Sequence, residues 1–272
     1  MPQSETRKLP PMSALEFAIH RSFSNFLFGL RLLLGWVIMQ LPLLAALYYG
    51  VFQGAVPDPS APTPRLYAAA AVLGLFNLIA SNSFSVNWHR RLLLAESPKG
   101  LGWFRLDGVV WRYLFRFLII GVIVAIIAGV ATALMQMLAA GELLGPAGQP
   151  VGIAVATILG FFALFAWYRL SSALPAVAVG NRDYGLGAAW RTTRRNSLRY
   201  LGFTFWLIFA LAIGNGLSGG ALAAQEALKN PWLTAGAGVL AVFFSLLTIF
   251  VTSSIATSHF YFFGEGKDYP EI

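Results

Sequence analysis

Long apolar runs separated by short basic segments make up nearly the whole chain, and within the runs apolar and polar residues do not alternate. Six runs carry no charged residue: Leu32 to Phe52, Leu66 to Val86, Phe117 to Ala140, Val151 to Tyr168, Leu201 to Ala224 and Leu233 to Phe263. About 20 residues of α-helix cross the hydrocarbon of a bilayer, so each run predicts one transmembrane helix. Backbone amides in lipid must be paired within a helix or a closed barrel. Barrel strands would alternate in character every second residue, which these runs do not. The expected class is therefore all-α: a polytopic bundle of six transmembrane helices arranged as three hairpins, with amphipathic interfacial helices on the cytoplasmic side.

The polar positions set the orientation. Counting Lys and Arg in the N-terminal segment, the second and fourth connections and the C-terminal tail gives 17, against 2 in the first, third and fifth connections. Positive connections stay in the cytoplasm, so both termini are expected there. Arg7, Lys8, Arg21 and Arg31 precede the first run and no small-residue cleavage site follows a short apolar core, so the first helix is expected to be retained. The resulting division is a cytoplasmic N-terminal segment over 1–31, a transmembrane domain over 32–263 and a cytoplasmic tail over 264–272.

Composition agrees: 57% of residues are hydrophobic, 11% are charged and the mean hydropathy is +0.68, far from a soluble domain. Cysteine is absent, which removes disulfide and thiolate-metal chemistry. His20, His89 and His259 stand far apart in sequence without a carboxylate cluster, so no metal or other cofactor is expected.

Three segments concentrate charge with aromatic residues. Ser85 to Arg116 holds Arg90, Arg91, Arg105, Arg112 and Arg116 beside Trp88, Trp103, Trp111 and Tyr113. On a helical wheel Arg105, Arg112 and Arg116 fall together beside an apolar face, the pattern of a helix entering the membrane obliquely with aromatic anchors at headgroup level. The alternative is a solvated positive loop without a ligand. Asp183 to Tyr200 repeats the pattern, with Asp183 as a candidate N-cap and Arg191, Arg194, Arg195 and Arg199 on one face. Ser13 to Leu30 forms a third, with Leu15, Ile19, Phe23, Phe26 and Leu30 as its apolar stripe.

A shift of 171 residues superposes Leu15, Ala18, Ser22, Asn25 and Leu27 on Leu186, Ala189, Thr193, Asn196 and Leu198, in the pattern L-x-x-A-x-x-x-[ST]-x-x-N-x-L. Read as architecture, this places a cytoplasmic interfacial helix before helices one, three and five.

The net charge of +8 would tolerate nucleic acid, but no binding motif accompanies it and the charge sits next to the apolar runs. Acidic lipid is the nearer partner, each Lys or Arg contributing about 1 kcal/mol near an anionic leaflet. Gly216-Leu217-Ser218-Gly219-Gly220 satisfies G-x-S-x-G, yet the histidines lie towards the opposite side, so close helix packing is the better reading. A polar path would use Asn77, Ser81 and Ser85 of helix two with Ser245, Thr248, Thr252 and His259 of helix six. No charged side chain sits mid-run to couple transport, although Arg169 is followed by more apolar sequence and must snorkel or pair. Pro175 is expected to kink or stop that helix.

The segments NWHRRLLLAESP (Asn87 to Pro98), LDGVVWRYLFR (Leu106 to Arg116) and YRLSSALPAVAVGNRDYGLGAAWRTTRRNSLRY (Tyr168 to Tyr200) resemble those of a group of six-helix bacterial inner-membrane proteins. That group is distantly similar to the glycerophosphoryl diester phosphodiesterase membrane-domain superfamily. The resemblance implies the fold, the location and a role in membrane or lipid homeostasis. It implies no catalytic residue: the soluble barrel that gives the superfamily its name has no counterpart in these residues, and His89-Arg90 lacks the glycine and carboxylates such a barrel needs. The expected function is that of a non-catalytic accessory or scaffold protein. Its basic, aromatic rim would engage acidic lipids, a partner complex or a second copy of the chain. The alternative is a transporter or channel for a small polar or amphiphilic solute.

Overall fold

The computed structural model describes residues 7–51, 63–98, 103–140, 148–205 and 231–270, with side chains at all of these except 139 and 231–246. These segments are predominantly helical, and the described residues contain no strand. The elements are α1 (Pro11–Ser24), α2 (Phe26–Ala46) continued by a π-helical turn (Leu47–Val51), α3 (Pro64–Leu94), α4 (Gly108–Ala139) and α5 (Gly148–Ser171). Then follow α6 (Ala173–Val179), α7 (Leu186–Thr193), a 3-10 turn (Arg194–Asn196), a helix over residues 197–205 here called α8, and α9 (Pro231–Phe263). Four helical stretches are long and apolar enough to cross a membrane: Phe26–Val51, Pro64–Leu94, Gly108–Leu138 and Gly148–Val179. The fifth run lies mostly outside the described residues, as does Gly216 to Gly220.

Local chemistry explains where helices start and stop. Thr63 caps α3 by accepting from the Leu66 amide at 3.3 Å, with Pro64 in the first turn where its missing N–H costs nothing. Asp107 caps α4, accepting from the amides of Val109 and Val110 at 3.0 and 3.3 Å. The Pro175 ring would collide with the carbonyl four residues earlier, Ser171, and α5 ends there. The short α6 closes in a Schellman turn: Asn181 N–H donates to Ala176, Gly180 N–H donates to Val177, and Gly180 takes φ 81°.

Packing is uneven along the bundle. Large side chains of α2, α4 and α5, among them Leu34, Ile38, Leu41, Val122, Ile126, Val130, Ile158 and Phe162, are exposed in a broad apolar belt. The buried core gathers instead at one end, where the C-terminal halves of α3 and α9 meet α1, α6, α7 and the start of α4. Alanines of α6 (Ala173, Ala176, Ala178) let that helix wedge between α3, α4 and α9. Phe84, Trp88 and Phe250 stack with centroids 5.1–5.7 Å apart, and Gly29 leaves room for them. A Cβ at Gly29 would meet the Trp88 ring at 2.8 Å.

Several sequence expectations change here. On α1 the residues that pack on protein are Ala14, Phe17, Ala18 and Ser22; of the expected apolar stripe Ile19 and Phe23 are exposed, while Leu15 packs against the core. Helix α3 runs on to Leu94, which buries Trp88 completely instead of placing it at the interface. Tyr113 is buried too, and Trp103 and Phe104 fold back towards α2, Phe104 lying edge-on to Trp36 at 5.2 Å. Arg105 precedes the Asp107 cap and so is not on the α4 wheel. Among the described residues no separate α-helix stands between α3 and α4. Asp183 is not an N-cap: Gly185 holds that position, and Asn181 organises the turn by accepting from the amides of Asp183 and Tyr184.

The internal repeat does correspond in space. Ala18 and Ala189 are both fully buried, and Ser22 and Thr193 are both buried with their hydroxyls donating to the alanine carbonyl four residues back. Asn25 and Asn196 both stand at the break into the following helix, and Leu27 and Leu198 are both exposed. The pattern encodes a helix, a break at Asn and a following helix, used twice.

Candidate functional site: an arginine-rich end face

The packed end of the bundle carries the charge. Among the described residues, every Lys and Arg except Arg65 belongs to this end or to the first turns leading from it. The segments there are tied to one another directly. Arg7 pairs with Asp268 and donates to the Phe262 carbonyl, while Asn196 accepts from the Leu9 amide and donates to the Arg7 carbonyl. Arg199 reaches the Leu9 carbonyl.

The arginines singled out by sequence separate into two sets. In the first, the guanidinium is engaged by protein. Arg90 forks onto Glu96 and donates to the Ala178 carbonyl at 2.8 Å, which fastens α3 to the C-terminus of α6. Cations at a helix C-terminus complement its exposed carbonyls. Arg91 donates to Asn25 Oδ1 at 3.0 Å and Ser97 Oγ at 2.9 Å, and Arg105 to Asp107 at 2.6 Å. The guanidinium of Arg105 and the two capped amides hold the Asp107 carboxyl below the usual range, against the opposing effect of partial burial.

Arg169 is the most buried of the set, at 3% exposure. Its fork donates to Thr193 Oγ1 at 2.9 Å, Ser197 Oγ at 3.3 Å and the Trp190 carbonyl at 2.9 Å. The Trp190 ring lies 4.0 Å from the guanidinium carbon and Phe165 lies 5.1 Å away. Among the described residues no carboxylate takes part, and neutral acceptors and two aromatic faces stabilise the cation. Arg169 thereby pins α7 to α5.

In the second set the charge is outward. Arg112, Arg182, Arg191 and Arg194 are exposed and make no side-chain hydrogen bond or ion pair among the described residues; Arg195 is exposed as well. Arg116 is intermediate. One of its terminal nitrogens donates to the carbonyls of Ala173 at 3.1 Å and Tyr184 at 3.4 Å. Tyr184 itself is buried, which raises its phenol pKa although hydrogen bonds to Ser172 and Thr192 oppose the shift. Trp111 is 51% exposed and is the aromatic residue of the α3–α4 region that best fits an interfacial position.

Of the expected polar path, Asn77, Ser81 and Thr252 donate within their own helices, to the carbonyls of Leu73, Leu78 and Thr248, and Asn77 and Ser81 are exposed. The Ser245 side chain lies outside the described residues. His259 is fully buried against Tyr200 and Phe203, with ring centroids at 4.6 and 5.2 Å.

Polar contact between α3 and α9 runs through neighbouring positions that sequence reasoning missed. His89 Nε2 lies 2.9 Å from the Tyr113 hydroxyl and Nδ1 lies 2.8 Å from Thr257 Oγ1. Because Thr257 donates its own hydrogen to the Ser253 carbonyl, it can only accept from Nδ1–H, which leaves Nε2 to accept from Tyr113. Alongside, Trp88 donates to Ser254 at 3.0 Å, and the Ser254 and Ser22 hydroxyls lie 2.9 Å apart. The two chains join α1, α3, α4 and α9 at the base of the bundle. The available signal was a histidine in the basic C-terminal part of α3 with Ser254 and Thr257 one helical turn apart on α9.

No family model, curated protein or solved structure matches the chain.

Proposed function

We propose that this chain crosses a bacterial cytoplasmic membrane six times, with α8 and α9 belonging to the fifth and sixth spans and both termini in the cytoplasm. On this reading it is a non-catalytic membrane protein whose basic end face holds acidic phospholipid. The supporting observation is one boundary: the exposed apolar belt ends where the exposed arginines begin. A belt of that extent is unfavourable in water and suits hydrocarbon. The guanidiniums beside it then sit at headgroup depth, where each contributes about 1 kcal/mol of attraction to an anionic leaflet, weakened by salt. The resemblance noted in the sequence supports the same setting. The division of labour among arginines narrows the reading: Arg90, Arg91, Arg105, Arg169 and Arg199 hold the end face together, and Arg112, Arg116, Arg182, Arg191 and Arg194 present charge to lipid.

Extraction of the full chain from membranes directly into polymer-bounded nanodiscs, followed by lipid identification, tests this. Phosphatidylglycerol and cardiolipin are expected to be enriched about twofold or more over the bulk membrane. A lipid composition equal to the bulk would overturn the reading.

A further inference from the structure

A groove of about 950 Å³ lies between α4 and the α6–α7 turn, at the upper end of the size range of ligand pockets. Its lining divides by character. Arg112, Arg116 and Arg182 supply the polar part, with Asn181 beside them, and no carboxylate lines it. Trp111, Phe115, Ile119, Val177 and Leu186 supply the apolar part.

Three features of this groove call for an occupant with a compact anion and an attached apolar chain. Arg112 and Arg116 stand four residues apart on α4, a spacing at which like charges repel, and neither meets a carboxylate. Arg112 and Arg182 have no protein partner among the described residues, and Arg116 commits one terminal nitrogen to carbonyls, leaving the rest of its fork available. The apolar side of the groove continues along α4: Trp111, Phe115, Leu118, Val122 and Ile126 form one exposed stripe at helical spacing, with Phe115 67% exposed. A soluble anion would satisfy the guanidiniums and leave that stripe unused. A fatty acyl chain lying along it uses both.

We propose that this groove is a seat for one acidic phospholipid, its phosphate diester held by Arg112, Arg116 and Arg182 and an acyl chain lying on the Trp111–Ile126 stripe. The proposal rests on the reading of the end face as lipid-facing, and it adds that the binding is local to this groove. Arginine forks are suited to phosphate oxygens, and Trp111 at the rim is suited to the headgroup boundary.

The test is native mass spectrometry of the delipidated full-length protein, titrated with phosphatidylglycerol and with phosphatidylcholine. Arg112→Gln/Arg182→Gln, which removes two side chains without protein partners, is expected to weaken phosphatidylglycerol binding by about 10- to 30-fold and leave phosphatidylcholine unchanged. Phe115→Gln is expected to weaken the lipid without affecting its salt dependence, because it alters only the chain contact. Arg191→Gln/Arg194→Gln, on the neighbouring exposed cluster, is expected to change binding less than threefold. Equal losses from the two double variants would overturn the groove while leaving a general basic rim intact. Wild-type binding with no preference for phosphatidylglycerol would overturn both. Displacement of the lipid by millimolar inorganic phosphate, with no effect of Phe115→Gln, would reassign the groove to a soluble anion and overturn the lipid occupant. A thermal midpoint matching the wild type shows that the variants are folded.

Discussion

Replacing His89 with alanine is expected to lower the stability of the bundle by about 3–5 kcal/mol, read as a fall in the thermal unfolding midpoint in detergent. The ring is fully buried where α3, α4 and α9 meet, bonded to Tyr113 on one side and Thr257 on the other. Interhelical hydrogen bonds in membrane proteins average only about 0.6 kcal/mol each, so the two bonds alone do not account for that loss. The larger part comes from the void left by an imidazole in a close-packed site. His89→Phe separates the two contributions, since it fills most of the void and removes both bonds. Thr257 keeps its bond to the Ser253 carbonyl, whereas the Tyr113 hydroxyl loses the ring nitrogen that accepts its hydrogen. The expected cost of His89→Phe is therefore about 1–2 kcal/mol. Equal losses for Ala and Phe would show that the hydrogen bonds dominate and that the packing argument is mistaken.

Arg169 gives the second large effect, and its ranking is the informative part. Arg169→Met removes the charge, and the side-chain acceptors left behind still have partners: Thr193 donates to Ala189 and Ser197 to Arg194. What is lost is the tie to the Trp190 carbonyl and the stacking on its ring, worth about 1–2 kcal/mol together. Arg169→Lys keeps the charge in the buried site but cannot span three acceptors with a planar fork. An under-solvated ammonium there is expected to cost about 3 kcal/mol or more. Lysine, the nominally conservative replacement, should thus unfold at lower temperature than methionine. The opposite order would mean that water reaches this guanidinium and that it does not act as a dry clamp between α5 and α7.

The sequence made the class of the fold and the direction of its charge legible because both depend on long averages. An uncharged run of 20 residues and a 17 to 2 asymmetry survive errors in any single position. The L-x-x-A-x-x-x-[ST]-x-x-N-x-L pattern was legible too, since a buried alanine, a back-bonding hydroxyl and an asparagine at the helix break leave the same trace twice. Face assignments within helices were not. Nothing in the sequence marked Ala14, Phe17, Ala18 and Ser22 as the face of α1 that packs on protein, because the stripe of Leu15, Ile19 and Phe23 is the more conspicuous apolar one. Trp88 and Tyr113 were expected at the surface because arginines flank them; on a helix, neighbours in sequence point in different directions, and both rings are buried. The engagement of Arg169 was beyond sequence reasoning because its acceptors are a carbonyl and hydroxyls of α7 and the residues after it, and the tie of Arg90 to the Ala178 carbonyl was equally unmarked, although its partner Glu96 lies only six residues away.

The central claim is that the arginine-bearing segments all share one face of the membrane, the cytoplasmic one. The chain contains no cysteine, so single cysteines can be introduced without background. Ser97 and Asp183 are exposed on the arginine-rich end, and Gln149 is exposed at the opposite end, in the first turn of α5. Labelling of intact and permeabilised cells with a membrane-impermeant maleimide tests the placement directly. Ser97→Cys and Asp183→Cys are expected to react only after the cytoplasmic side is opened, and Gln149→Cys to react from outside in intact cells. Reaction of Ser97→Cys or Asp183→Cys in intact cells would contradict the account.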